Sequence, residues 1–287
     1  MPTALVCLTF DHDNASLMIA RGQTSPTPIS RGDFGIVAVP RILSLLAAHS
    51  VPSTWFIPGH TIESYRGCVE RVGAAGHEIG HHGWTHRAPA AMSREEEENE
   101  LLRGIESIER LTGARPAGYR SPSWDLSAHS VELLLKHGFA YDSSMMGHDY
   151  SPYQVRLGDK VSLHEPLQFG QDTRLTELPV SWSLDDFPHF EYSVSERGIL
   201  PGLMDAAAVE RNWIEDFLYM RDHLDWGVMT LTFHPHVIGR GHRMRMLERL
   251  IDRLAQEGAR FVTAAQAVAE YRSRYPKGVS LQVDQLA

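Results

Sequence analysis

The chain opens on a pair of carboxylates. A short apolar run, Ala4-Leu5-Val6-Cys7-Leu8, leads into Thr9-Phe10-Asp11-His12-Asp13. Residues two apart in an extended chain face the same side, so Asp11 and Asp13 would look into one pocket if the strand persists. Two like charges that close are unfavourable unless something positive lies between or beside them. A metal ion is one such thing, and other ligand types occur downstream. His82-Gly83-Trp84-Thr85-His86 carries two histidines four apart. That spacing suits one face of a helix or a tight loop that doubles back, and Gly83 after an expected strand favours the loop. Two imidazoles and the Asp13 carboxylate suit zinc with an open position, or cobalt, manganese or iron. Alone, the spacing is unspecific, since two surface loop histidines would look the same.

These residues need elements to position them. Strands are expected at Ala4–Leu8, Ser53–Ile57, His77–His82, from Pro116 into a loop at Trp124, at Phe139–Tyr141, Leu178–Trp182, Val228–Phe233 and Arg260–Thr263. Helices are expected from Pro40 to His49, Ile62 to Ala75, Ser93 to Leu111, Ser130 to His137, Val209 to Leu224, Met244 to Gln256 and Ala264 to Tyr271. Ser93 and Glu96 have capping-box spacing, and the acid run Glu95 to Glu98 answers the helix dipole better than it answers a metal. Gln23 to Ser30 reads as a surface loop and Gly147 to Gln171 as a long turn-rich segment. Such alternation predicts a parallel sheet wrapped by helices, closed or nearly closed into a barrel. Asp11, Asp13, His82, His86, Arg120, Asp125, Asp142 and His234 all fall at expected strand C-terminal ends, which share one face of such a barrel.

The totals bound the remaining possibilities. No linker or composition shift divides the 287 residues, so a single domain is expected over 1–287, with a core of about 4–271 and a loosely held tail of 272–287. A net charge of −9 without any basic run argues against nucleic acid as partner. No apolar run approaches the roughly 20 residues of a membrane span. Cys7 lies in the first apolar run and reads as a small buried hydrophobe. With folding expected to begin by about residue 4 and no signal peptide before it, a cytoplasmic protein is expected.

Four segments together resemble the polysaccharide deacetylase (NodB-homology) family. Thr9 to Asp13 is similar to its first motif, in which the first aspartate is a general base and the next binds metal. His82 to His86 resembles its metal-binding histidine pair. Arg120-Ser121-Pro122-Ser123-Trp124-Asp125 resembles its Arg-x-Pro loop along the groove, and Leu231-Thr232-Phe233-His234-Pro235 the motif with the catalytic histidine. The motifs keep the family order and span residues 9 to 235. Gly83 stands where many members have Ser or Thr, and His12 separates aspartates that many members have adjacent. With Arg31-Gly32-Asp33-Phe34-Gly35 and Phe56-Ile57-Pro58-Gly59-His60, these departures resemble a branch containing intracellular peptidoglycan-deacetylase-like proteins and cyclic imide hydrolases. A related allantoinase group works without metal, against which the presence of Asp13, His82 and His86 argues.

The resemblance implies a distorted (β/α) barrel and hydrolysis of a non-peptide C–N bond. One divalent metal, zinc above cobalt, manganese or iron, would be held by Asp13, His82 and His86. Asp11 would be the base, with service as a second metal ligand as the alternative. His234 would protonate the leaving nitrogen, its far ring nitrogen held by Asp142 or Asp186. Arg120 would orient Asp11 or touch substrate. Trp124, Trp182 and Asp186, with Asp185 and Phe187, would wall the groove; His77 and His81 read as structural and His236 as a bystander. The leading expectation is a small cyclic imide or amide as substrate, with N-acetylated saccharides or peptidoglycan as the alternative and an allantoinase-like, metal-free hydrolase behind both. A narrow pocket would fit the first, an open groove with exposed aromatics the second. Gly147 to Gln171 would serve as a pocket wall or as the contact of a homo-oligomer, dimer or tetramer. A binding protein that merely kept the fold would have lost one of Asp11, Asp13, His82, His86 and His234, and all are present.

Overall fold

The computed structural model describes residues 3–195 and 198–281. In chain order it runs β1 (Thr3–Asp11), α1 (Ala15–Ala20), α2 (Pro26–Asp33), α3 (Gly35–Ala48), β2 (Thr54–Ile57), α4 (Gly59–Ser64), α5 (Arg66–Ala74), β3 (Glu78–His81), α6 (Arg94–Thr112), β4 (Gly118–Tyr119), α7 (Ser130–Lys136) and β5 (Tyr141–Asp142). There follow β6 (Tyr153–Leu157), β7 (Gln171–Glu177), α8 (Asp186–Phe190), the hairpin strands β8 (Ser193–Ser195) and β9 (Gly198–Leu200), α9 (Ala206–His223), β10 (Trp226–Phe233), α10 (Pro235–Ile238), α11 (Gly241–Gln256), β11 (Arg260–Phe261) and α12 (Ala264–Arg274).

The strands build one curled sheet in the order β10-β1-β2-β3-β4-β5-β7-β6, with β11 added beside β1. Every pairing is parallel except that of β6 with β7, as a distorted (β/α) barrel requires. The barrel stays open between β10 and β6 among the described residues, where Val228 N–H donates to Tyr150 O at 2.8 Å. β1 is apolar without alternation because both of its faces are covered. Ala4, Val6, Leu8 and Phe10 pack into the larger cluster with α3, α9 and α11, whereas Leu5 and Cys7 join Phe56, Tyr141 and Trp226 in a second cluster. Cys7 is fully buried and unbridged, as its place in the apolar run implies.

Several boundaries differ from the sequence expectation. Gln23 to Ser30 is largely helical: α2 begins at Pro26, where proline is tolerated because the first N–H groups of a helix lack internal partners. α3 starts at Gly35, ahead of Pro40, because Phe34 O accepts from Val37 N and Ala38 N and so closes an earlier turn. The helix expected over Ile62 to Ala75 is two, broken at Tyr65, whose hydroxyl donates to Asp33 at 2.7 Å. Gly147 to Gln171 contains β6, and the strand expected at Leu178–Trp182 lies just upstream as β7, with Trp182 in a 3₁₀ turn. The expected loose tail is partly anchored: Val279 N donates to Tyr271 Oη at 2.7 Å, Val279 O accepts from Gln154 N at 2.9 Å, and Ser280 is buried. Residues 282–287 lie outside the described ones.

Candidate metal and catalytic centre

The C-terminal ends of β1, β3, β4, β5 and β10 meet on one face, and the buried polar residues collect there. β1 ends at Asp11, and Asp13 sits two residues beyond, both buried. β3 ends at His81, and the next residues turn back on themselves. Gly83 (φ 71°) and His86 (φ 58°) are both left-handed, which brings the two imidazoles together at 4.9 Å between ring centroids. Such backbone is costly for a histidine and persists where surroundings hold it. Here Glu100 of α6 holds it, accepting from Trp84 N at 3.2 Å and Thr85 N at 2.9 Å. His81 props the same loop, with Nδ1 accepting from Gly83 N at 3.1 Å and Nε2 3.0 Å from Leu101 O. That is the structural role expected for His81.

Asp13, His82 and His86 offer ligand atoms that all lie within 4.8 Å of one another. His82 Nε2 is 3.4 Å from Asp13 Oδ1, and His86 Nε2 is 3.4 Å from Asp13 Oδ2. His82 Nδ1 is 2.7 Å from Arg120 O, so it carries the proton and Nε2 turns a lone pair toward Asp13. Both Asp13 oxygens and His82 Nε2 are buried without a hydrogen-bond partner among the described residues. Burial, with the neighbouring Asp11 charge opposing the favourable His234, pushes Asp13 up to about 8. A buried carboxylate and a buried imidazole lone pair, orphaned around one point, are what a cation would satisfy. The donor set therefore fits a divalent metal.

Asp11 belongs to a different network. Arg120 Nη1 donates to Asp11 Oδ1 and to Thr9 Oγ1, each at 2.8 Å, while Nε donates to Ser143 O at 2.9 Å and Nη2 to Ser143 Oγ at 2.8 Å. Arg120 is fully buried and lies under the centre, so it grips Asp11 and does not face the pocket. Of the two roles expected for Arg120, orienting Asp11 or touching substrate, these contacts fit the first, that of a positioning residue. Burial would raise the Asp11 carboxyl, but Arg120, His82 and His234 outweigh it and hold it below the usual carboxylate range.

His234 follows β10, with Nε2 3.8 Å from Asp13 Oδ2. Nδ1 is 2.8 Å from Asp186 Oδ1 and 3.4 Å from Asp185 Oδ1, and the same Asp186 carboxylate accepts the His234 N–H at 3.0 Å. Burial alone would lower this imidazole, yet Asp185 and Asp186 carry it well above its ordinary value. Asp186 is thus the partner of His234, and its expected place on the groove wall is corrected: it is fully buried beneath the histidine. Asp142 is engaged elsewhere, accepting from Ser144 Oγ at 2.7 Å beside Glu177, which accepts from Ser144 N and Met145 N at 2.8 and 2.9 Å. That pair fixes the Ser143 segment that holds Arg120.

Over these groups lies a cup of about 220 Å³. Asp11, Asp13, His82, His86, Asp185 and His234 reach its floor, and Trp124, Trp182, Phe187 and Arg21 stand around it. Trp124 and Trp182 stack at 4.3 Å between centroids, and Trp182 is 46% exposed. Ser123 and Trp124 are both left-handed (φ 59° and 53°), a strained pair that aims the indole at the cup. The sequence offered no signal for Arg21, Ser143 or Glu177, since each reaches the site through tertiary packing alone.

The sequence model of the polysaccharide deacetylase family matches residues 2–141. A peptidoglycan deacetylase of Helicobacter pylori is 38% identical over 268 residues, covering 89% of this chain and 91% of that protein. The chain belongs to the polysaccharide deacetylase family. A crystal structure of a putative polysaccharide deacetylase from Mycobacterium smegmatis agrees: TM-score 0.82 and 32% identity, over 95% of this chain and 91% of that one. PuuE allantoinase shares the fold at a TM-score of 0.75 and 18% identity, over 96% of this chain and 91% of that one. Membership in this family of hydrolases carries the barrel and makes an amide-type C–N bond the chemistry to consider.

Proposed function

We propose that the protein is a metal-dependent N-deacetylase of N-acetylglucosamine-containing saccharides, peptidoglycan fragments among them. The carrying observation is the similarity to the Helicobacter pylori peptidoglycan deacetylase along nearly the whole of both chains. The order of the two substrate expectations is thereby reversed, and the saccharide comes first. An exposed Trp182 beside Trp124 offers a sugar ring an apolar platform.

In this reading Asp13, His82 and His86 hold a divalent cation, zinc, cobalt, manganese or iron, which when bound supplies Lewis-acid polarisation and a lowered pKa for water. Asp11, kept ionised by Arg120, takes the proton of the attacking water. The water oxygen adds to the acetyl carbonyl, the C–N bond breaks, and His234 delivers the Nε2 proton to the departing nitrogen. Acetate and a free amine result. Asp186 keeps the His234 imidazolium protonated until that step and fixes which nitrogen faces the cup.

A small cyclic imide remains the second reading. It is favoured by the size of the cup, about 220 Å³, below the several hundred typical of larger ligands. The test is a parallel assay of metal-loaded protein on an N-acetylglucosamine oligomer, succinimide, dihydrouracil and allantoin. Release of acetate from the oligomer at the highest kcat/KM is expected; turnover of succinimide with an inert oligomer would reverse the order again.

Asp186→Asn bears on the acid role. Losing the carboxylate lowers the His234 pKa, so the proton departs at lower pH. The alkaline limb of the kcat profile should therefore move toward acid, leaving the acid limb set by Asp11 in place. An unmoved alkaline limb would remove His234 as the group that titrates there.

A further inference from the structure

Past Phe187 the active-site wall continues into a second cleft of about 510 Å³. The Phe187 ring stands between the two, 5.1 Å from His234 and 6.3 Å from His236, and the two imidazoles are 5.9 Å apart. Arg31, Arg240, Arg243, His236 and His242 line the cleft, with Glu191 as its one carboxylate. In a chain of net charge −9, three guanidinium groups converging on one carboxylate is a local reversal of sign.

Arg31 is ion-paired with Glu191 and donates to Tyr192 O at 2.9 Å. The other two have no carboxylate in ion-pair contact among the described residues. Arg240 is exposed and lies 3.6 Å over the Phe34 ring. Arg243 is 7% exposed; Nη1 and Nη2 donate to Val237 O and Phe190 O at 2.9 and 3.0 Å, and Nε has no partner among the described residues. The sixteen-residue helix α11 starts in this cleft at Gly241, with no side-chain cap and no acidic residue in its first turn. Its positive end is therefore turned into a basic site. An added Cβ at Gly241 would meet nothing within 4 Å, so the backbone there is open to approach. A separate observation points the same way. His236 lines the cleft, is 3% exposed, and both of its ring nitrogens lack a hydrogen-bond partner among the described residues. Buried polar atoms left this way are rare in folded proteins and call for a partner.

We propose that this cleft is a binding subsite for an oxyanion, a carboxylate or phosphate group, held by Arg240, Arg243, His236 and the first-turn N–H groups of α11. Planar guanidinium groups match both anions through paired hydrogen bonds. Two sources share that chemistry: an acidic group carried by the substrate of the neighbouring centre, which rests on the deacetylase reading, or a free inorganic anion, which does not.

Calorimetric titration of inorganic phosphate into metal-loaded protein separates the subsite from the catalytic reading, because it needs no turnover. Arg240→Gln removes an exposed charge, and its melting temperature checks the fold. Phosphate should bind the parent protein at millimolar concentration or better and bind the variant about tenfold more weakly. Equal affinity in both, or no heat in either, would overturn the proposal, since phosphate on the metal alone is indifferent to Arg240. The second arm compares KM for N-acetylmuramic acid and N-acetylglucosamine. A rise confined to the acidic sugar in Arg240→Gln assigns the anion to substrate. Weakened phosphate binding with both KM values unchanged assigns it to a free anion. Absence of turnover on either sugar counts against the deacetylase reading and leaves the phosphate result standing.

Discussion

Asp11→Asn is expected to keep its metal and lose turnover, by roughly 10²–10⁴-fold in kcat if Asp11 is the base. The substitution preserves shape and leaves an oxygen for Arg120 Nη1, which now reaches Asp11 Oδ1 at 2.8 Å. It removes the negative charge that accepts a proton. It also leaves a fully buried guanidinium facing a neutral amide. Breaking such a pair outright costs about 3–5 kcal/mol, so a lowered melting temperature should accompany the loss of activity, softened by the retained hydrogen bond. Metal content is the discriminating readout. Asp11 Oδ2 is 3.9 Å from His82 Nε2, near enough for the alternative in which Asp11 is itself a ligand. If Asp11→Asn came out of purification with metal depleted, the ligand role would replace the base role. Normal turnover would eliminate both.

The second large effect concerns the cation. Asp13→Ala and His86→Ala should each lose metal and turnover together, read by metal content and kcat on the same preparation. Asp13 supplies an oxygen to each of the two imidazoles, so its removal leaves them no shared anionic neighbour at 3.4 Å. Chelation of the parent protein should do the same, and re-addition of a divalent ion, zinc, cobalt, manganese or iron, should restore activity. Full activity after chelation would instead place the protein with metal-free hydrolases, despite its ligand set.

How far this site could be read beforehand depends on how local each part is. His82 and His86 are four residues apart, and the doubling of their loop follows from Gly83, whose φ of 71° glycine adopts freely. The capping box at Ser93 and Glu96 formed as its spacing implies, because both hydrogen bonds close within one turn. The misplaced strand near Leu178 has the opposite origin. Only the last three residues of β7 are buried, so its apolar signal is weak, while Leu178 and Val180 are buried by neighbours outside their own segment. Composition misled at Pro26 for a related reason, since proline reads equally as a loop residue or as a helix start.

Residue type and order along the chain determined the family, the barrel and which Asp, His and Arg side chains stand at the strand ends. Those properties reside in short motifs at strand ends, where side-chain chemistry and local turns are enough. Tertiary structure alone decided the pairings: that Arg120 grips Asp11 from 109 positions away, that His234 takes Asp186, 48 positions back, and not Asp142, and that three guanidinium groups gather around one carboxylate beside the cup. Such partners are chosen by which strand neighbours which and by what burial leaves unsatisfied, and neither is encoded in any single stretch of the chain.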